Sequence, residues 1–164
     1  MSRAFVKEGD GTFDPLPDLP LSRHPNYVTP HGLAQLQSRL EARQSALQML
    51  KIRPDRLDKL PEAAAERDIR YLAARLRTAI LIDPAAQPLT EVAFGLAVTV
   101  RDQNGVETTY EITGDDEADA ASHRISPASP LARALIGART GDTVTWTKPS
   151  GPVDLDVLLI TRPC

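Results

Sequence analysis

The sequence predicts an α+β fold: an N-terminal antiparallel helical hairpin, then a small antiparallel sheet domain carrying one short helix. Three observations predict it. Between Thr29 and Asp83 the apolar residues step by threes and fours, as on one helical face. Beyond Asp83-Pro84 they alternate, as on strands. The prolines fall at the joints between these runs and not inside them.

Residues 1–28 carry Pro15, Pro17, Pro20 and Pro25. Proline lacks an amide donor and disfavours helix at the residue before it. This stretch reads as an extended arm, packed on another part of the protein.

The run "YVTPHGLAQLQSRLEARQSALQMLKI" starts the first helix. Thr29 can cap it, and Pro30 suits the first helical position. Leu33, Leu36, Leu40, Leu47 and Leu50 form one stripe, with Arg43 at the missing heptad place. Pro54 and Pro61 bracket a polar turn, "RPDRLDKLPE". The second helix repeats the step through Ala65, Ile69, Leu72, Leu76 and Ala79. Residues 29–83 are therefore expected to form an antiparallel coiled-coil hairpin, each arm of about 20 residues projecting ~30 Å.

Residues 84–90 read as a linker and 91–164 as the second domain. "VAFGLAVTVRD" and "VETTYEITG" flank "DQNG", a hairpin signal. "SPLARALIGARTGD" reads as a short helix with Ser129 as cap, Pro130 just inside and Gly137 as stop. "DTVTW" and "VDLDVLLI" flank "TKPSGP" as a second hairpin. Trp146 lies on a predicted strand, where core burial is expected.

The net charge of −3 hides a polarity. Residues 1–28 carry −1, residues 29–83 carry +3 and residues 84–164 carry −5. That balance argues against a general DNA binder, which presents a strong basic field. No apolar run approaches the ~18 residues of a membrane span. The start lacks a signal-peptide core, and the single cysteine, Cys164, allows no disulfide framework. A cytoplasmic protein is expected, with no membrane partner.

Motifs for self-contained chemistry are absent. His24, His31 and His123 share no ligand spacing with one another or with Cys164. There is no phosphate-cradling loop and no nucleophile elbow. "GDDEAD" (114–119) lacks the pattern of a calcium loop and reads as a surface loop after a strand.

The stretch "YEITGDDEADAASHRISPASPLARALIGARTGDTVTW" resembles the C-terminal domain of the bacterial GreA/GreB transcript-cleavage factors. There a strand leads into Gly-x-Asp-Glu, then Ile-Ser, then Ser-Pro-x-Ala-Arg-x-Leu, then Gly-Asp. "YVTPHGLAQL" is similar to the family's N-terminal start, and "RDIRYLAARLRTAILID" to the end of its second coil helix. The likeness covers about residues 27–162 and leaves the proline-rich arm outside.

The resemblance implies an N-terminal antiparallel coiled coil and a C-terminal FKBP-like domain. It implies an RNA polymerase-binding elongation factor, not an enzyme, whose globular domain docks at the rim of the secondary channel. Docking falls to Asp115, Asp116, Glu117, Ser129, Pro130 and Arg133. Arg67, Arg70 and Arg75 of the coil face nascent RNA or DNA within the elongation complex. A monomer is expected, with no cofactor of its own. In the family, two acids at the coil tip help hold the second Mg²⁺ of the polymerase active site, which activates water to cut backtracked RNA.

The chain departs from the family at that point. Its coil is shorter by about two turns per helix, on the order of 10 Å of reach. The family tip, Asp-Leu-Lys-Glu-Asn-Ala-Glu-Tyr or similar, is absent. Asp55 and Asp58 keep two acids at i and i+3, but in a proline-flanked turn. Their carboxylates are expected to be exposed and to bind no metal in the free protein. Ala128 stands where GreB-like proteins often have an acid.

Two functions within the family remain open: a cleavage stimulator, or a non-cleaving modulator like Rnk, whose coil is also short. The length deficit favours the modulator. From another class comes an FKBP-like prolyl isomerase or chaperone. Its aromatic-lined pocket is hard to build from three Phe, three Tyr and one Trp. A helical-hairpin adaptor for another partner is a third reading.

Overall fold

Thr29 decides where the first helix begins. Its hydroxyl oxygen accepts the Gly32 amide at 3.0 Å, and Pro30 follows at the first position, where a missing N–H costs nothing. Helix α1 runs Pro30–Lys51 and helix α2 Leu60–Arg77. The computed structural model describes residues 14–164, so the first part of the predicted arm, residues 1–13, lies outside the described residues.

The two helices form the expected hairpin. Every residue of the two predicted stripes is buried or half-buried. Val28, Leu36 and Leu72 make its tightest core, with Leu33, Leu40, Tyr71, Leu76 and Ala79 around them. Ion pairs flank the seam: Arg43 Nε lies 3.3 Å from Asp68, and Lys51 Nζ 3.4 Å from Glu66. Arg43 thus leaves the apolar stripe and pairs across it.

The arm does pack on the hairpin. Strand β1, Tyr27–Val28, pairs in parallel with β2, Ile80–Leu81, just past the end of α2. Buried Asn26 donates to Arg75 O at 2.7 Å. Further out, Arg70 donates to Asp18 Oδ1 at 2.6 Å and Leu16 O at 2.8 Å. Two-residue strands have no visible period, so this pairing was not legible in the sequence.

The second domain is a five-stranded sheet with helix α3, Pro130–Leu135, on one face. Its strands are β3 (Ala97–Arg101), β4 (Glu107–Ile112), β5 (Arg124–Ile125), β6 (Thr143–Lys148) and β7 (Gly151–Thr161), in the order β5-β4-β3-β7-β6. The expected hairpins are β3–β4 and β6–β7. In the first, Asp102 Oδ1 accepts the amides of Asn104 and Val106, and Gly105 takes a positive φ. The sheet is not wholly antiparallel, because the short edge strand β5 runs parallel to β4. Leu96, Val98, Ile112, Leu131, Leu135 and Val157 centre the core.

Two expectations need correction here. The ladder of the first strand starts only at Ala97; Val92, Phe94 and Leu96 are buried without strand pairing, and Gly95 turns the chain at φ 83°. Trp146 is half-buried, not buried. Strand β6 is the sheet's edge and alternates between exposed and half-covered residues. Trp146 lies opposite Val153 in the hairpin register, and Lys148 Nζ sits 4.0 Å from its ring centre.

Candidate functional site

The residues singled out in the sequence fall at four places: the hairpin tip, the middle of α2, the junction of the two domains, and the start of α3.

At the tip, Asp55 and Asp58 are exposed. Each spends a carboxylate oxygen on local backbone. Asp55 Oδ1 accepts the Leu57 amide at 3.1 Å, and Asp58 Oδ1 accepts the Leu60 amide at 2.9 Å. The second bond satisfies a donor at the start of α2, whose own cap residue, Lys59, offers none. Arg56 holds Glu62 through two bonds, at 2.9 and 2.7 Å. That fork keeps the Glu62 carboxyl below its ordinary pKa, against the opposing effect of burial. Arg53 Nε donates to Leu50 O at 3.2 Å.

Asp55 and Asp58 by themselves offer only part of what Mg²⁺ takes. The ion demands six oxygens in near-octahedral array. Among the described residues, no group of three or more His, Cys, Asp or Glu could hold a metal.

The loop after β4 turns inward. Glu117 is buried and accepts the Thr29 hydroxyl at 2.7 Å and the Gly114 amide at 3.2 Å. It thus lies at the N-terminus of α1, where the helix dipole favours an anion. Asp116 accepts the Tyr71 hydroxyl and Arg75 Nε, both at 2.6 Å. Burial first, and then the Asp116 bond, pushes the Tyr71 pKa up to about 12. Arg75 reaches toward Asp115 as well, at 3.8 Å. The "GDDEAD" stretch is therefore not a simple surface loop. Asp116 and Glu117 fasten the hairpin to the sheet domain, while Asp115 and Asp119 keep partly open side chains.

The three coil arginines are not a free basic face. Arg75 is 3% exposed and belongs to the junction. Arg67 bonds to Asp68 at 3.0 Å, and Arg70 holds the arm. At α3, Ser129 Oγ accepts the Ala132 amide at 3.2 Å, while Pro130 and Arg133 face solvent.

The sequence reading missed Thr29, Gly32 and Tyr71 as partners of the acidic loop, and Arg56 and Glu62 as the buckle of the tip. One signal was present. Glycine three residues after the capping threonine is unfavourable inside a helix, and a Cβ there would overlap the Glu117 carboxyl group.

The family model "Transcription elongation factor, GreA/GreB, C-term" matches residues 87–162. Among curated proteins, the transcription elongation factor GreB of Neisseria meningitidis serogroup B is 42% identical over 96 residues, 58% of this chain and 59% of that protein. The elongation factor GreA of Pseudomonas putida is 37% identical over 99 residues, 59% of this chain and 62% of that protein. The chain spans about three-fifths of the length of the curated relatives it matches. Among solved structures, GreA factor homolog 1 of Thermus thermophilus is 23% identical, covers 84% of this chain and 99% of that one, and superposes with a TM-score of 0.39.

Proposed function

We propose that this chain is a member of the GreA/GreB family, whose C-terminal model matches residues 87–162, and is an elongation factor that binds bacterial RNA polymerase. The family match over that domain carries the reading. The sheet domain docks at the rim of the secondary channel through the exposed start of α3, with Pro130 and Arg133 outward. Asp116 and Glu117 contribute by fixing how the hairpin leaves that domain. The hairpin enters the channel, and nucleic acid meets it only inside the elongation complex.

The tip favours a non-cleaving modulator over a cleavage stimulator. Helix α2 has 18 residues, which gives about 27 Å of reach. Asp55 and Asp58 are engaged with their own backbone. Mg²⁺ chemistry then belongs to the polymerase alone, and no step is assigned to this chain. Co-purification with core polymerase tests the docking. The wild type should be retained, and Pro130→Asp/Arg133→Glu should be lost with its fold intact. Equal retention of both would sink the assignment of that surface.

A further inference from the structure

The arm before β1 lies on the hairpin as a bound peptide would. Residues 14–25 join neither helix nor strand, and Pro15, Pro17, Pro20 and Pro25 punctuate them. Proline holds the backbone extended and leaves no N–H in need of a partner. Arg70 of α2 grips this segment at two points, donating to Asp18 Oδ1 at 2.6 Å and to Leu16 O at 2.8 Å. Leu19 is half-buried and borders both helices, whereas residues 20–25 are exposed.

The seat is larger than what fills it. A cavity of about 360 Å³ opens beside Leu19, lined by Ala42, Tyr71 and Leu72 and by the charged Arg39, Arg43 and Asp68. A smaller hollow of about 60 Å³ is bordered by Asp18, Leu19 and Leu21 of the arm and by Arg70, Tyr71 and Ala74 of α2. With the arm set aside, the two linings hold three arginines, Arg39, Arg43 and Arg70, against one acid, Asp68. Asp68 already faces Arg43 and Arg67. The acid that meets Arg70 comes from the arm. The groove is therefore apolar through Tyr71 and Leu72 and basic around them.

We propose that this groove is a recognition site for extended, proline-rich peptide segments carrying an acid followed by a leucine, and that the arm occupies it in cis as an autoinhibitory ligand. The occupant has the arm's own chemistry: an acid for Arg70, a leucine for the groove, and a proline on either side, as Pro17 and Pro20 flank Asp18 and Leu19. Aromatic-lined grooves take such segments at little cost in freedom, because proline has already fixed their shape. The cis contact is releasable. Asp18 and Arg70 are 75% and 40% exposed in their side chains, and such an open pair contributes below about 1 kcal/mol. Residues 20–25 separate the seated part from its anchor at Asn26 and β1, so the seat can empty without undoing the β1–β2 pairing. A nucleic acid strand fits less well, since the groove has one half-buried ring where bases stack on successive open ones.

The test titrates a labelled synthetic peptide of residues 14–25 against the full chain, read by fluorescence anisotropy. Asp18→Lys/Leu19→Asp sets like charge against Arg70 and empties the groove, and it touches only the outer arm. If the arm is seated in about nine-tenths of wild-type molecules, this variant should bind the peptide about tenfold more tightly than the wild type does. Asp18→Asn/Leu19→Ala, a milder release, should fall between the two. Adding Arg70→Glu should abolish binding, and a peptide carrying Asp18→Lys should restore it. Equal affinity of wild type and released variants, or no binding by any of them, would overturn the proposal. Binding that survives Arg70→Glu would place the peptide elsewhere and overturn it as well. A released variant that takes oligouridine but not the peptide would give the groove to nucleic acid, against the proposal.

Discussion

Gly32→Ala should destabilise the protein, although in an open helix the same change stabilises. Alanine is favoured over glycine by up to about 1 kcal/mol inside a helix. Gly32, however, faces the buried carboxylate of Glu117. An added Cβ would overlap Oε2 and Cδ and come within 2.8 Å of Cγ. Backbone and carboxyl cannot both stay. Moving the carboxylate breaks its 2.7 Å bond with the Thr29 hydroxyl and leaves a buried anion poorly paired. Hydrogen bonds to charged groups contribute about 1.5–3 kcal/mol each. Set against the helical gain, the net loss is about 1–2 kcal/mol, or a fall of several degrees in Tm for a chain of this size. Urea unfolding of the single variants and of Gly32→Ala/Glu117→Ala measures it. In the Glu117→Ala background the clash is gone, so Gly32→Ala should there become neutral or stabilising. If Gly32→Ala raises stability in the wild-type background, Glu117 does not sit on the end of α1 and the junction is wrongly described.

Trp146→Ala should cost about 1–2 kcal/mol in urea unfolding, roughly half the ~3–5 expected of a fully buried aromatic, because the ring is half-covered on an edge strand. Tyr71 holds its proton more tightly folded than unfolded, so the stability it contributes is complete below its ordinary pKa of 10 and drains away as pH rises toward about 12. In Tyr71→Phe the loss of stability over that range should flatten, with a residual slope from Tyr110, whose pKa burial also raises. Asp18→Ala removes an ion pair open to water and should cost below about 1 kcal/mol; a larger loss would show that the arm is part of the core.

How much of this was legible follows the range of each signal. Leu36, Leu72 and their stripe-mates declared the hairpin, because a period of three and four over twenty residues is redundant. Ser129, Pro130 and Gly137 declared α3 by local chemistry alone. The junction was hidden. Thr29 and Glu117 lie 88 residues apart in the chain, and an acid that will be buried against a helix end looks, in sequence, like any acid of a surface loop. The same limit misplaced Arg75: basic residues in a polar stretch read as solvated until a partner such as Asp116 is brought to them. Trp146 was misjudged because the sequence marks a strand without saying whether it lies at the sheet's centre or its edge. The tip was read correctly as a turn with exposed acids.

Whether the hairpin tip takes part in RNA cleavage is tested most directly in backtracked elongation complexes of RNA polymerase. Wild type and Asp55→Ala/Asp58→Ala should bind the complexes and should both give the slow intrinsic cleavage of polymerase alone. Strong stimulation by the wild type that the double variant loses would contradict the modulator reading and make those two carboxylates ligands of the catalytic Mg²⁺.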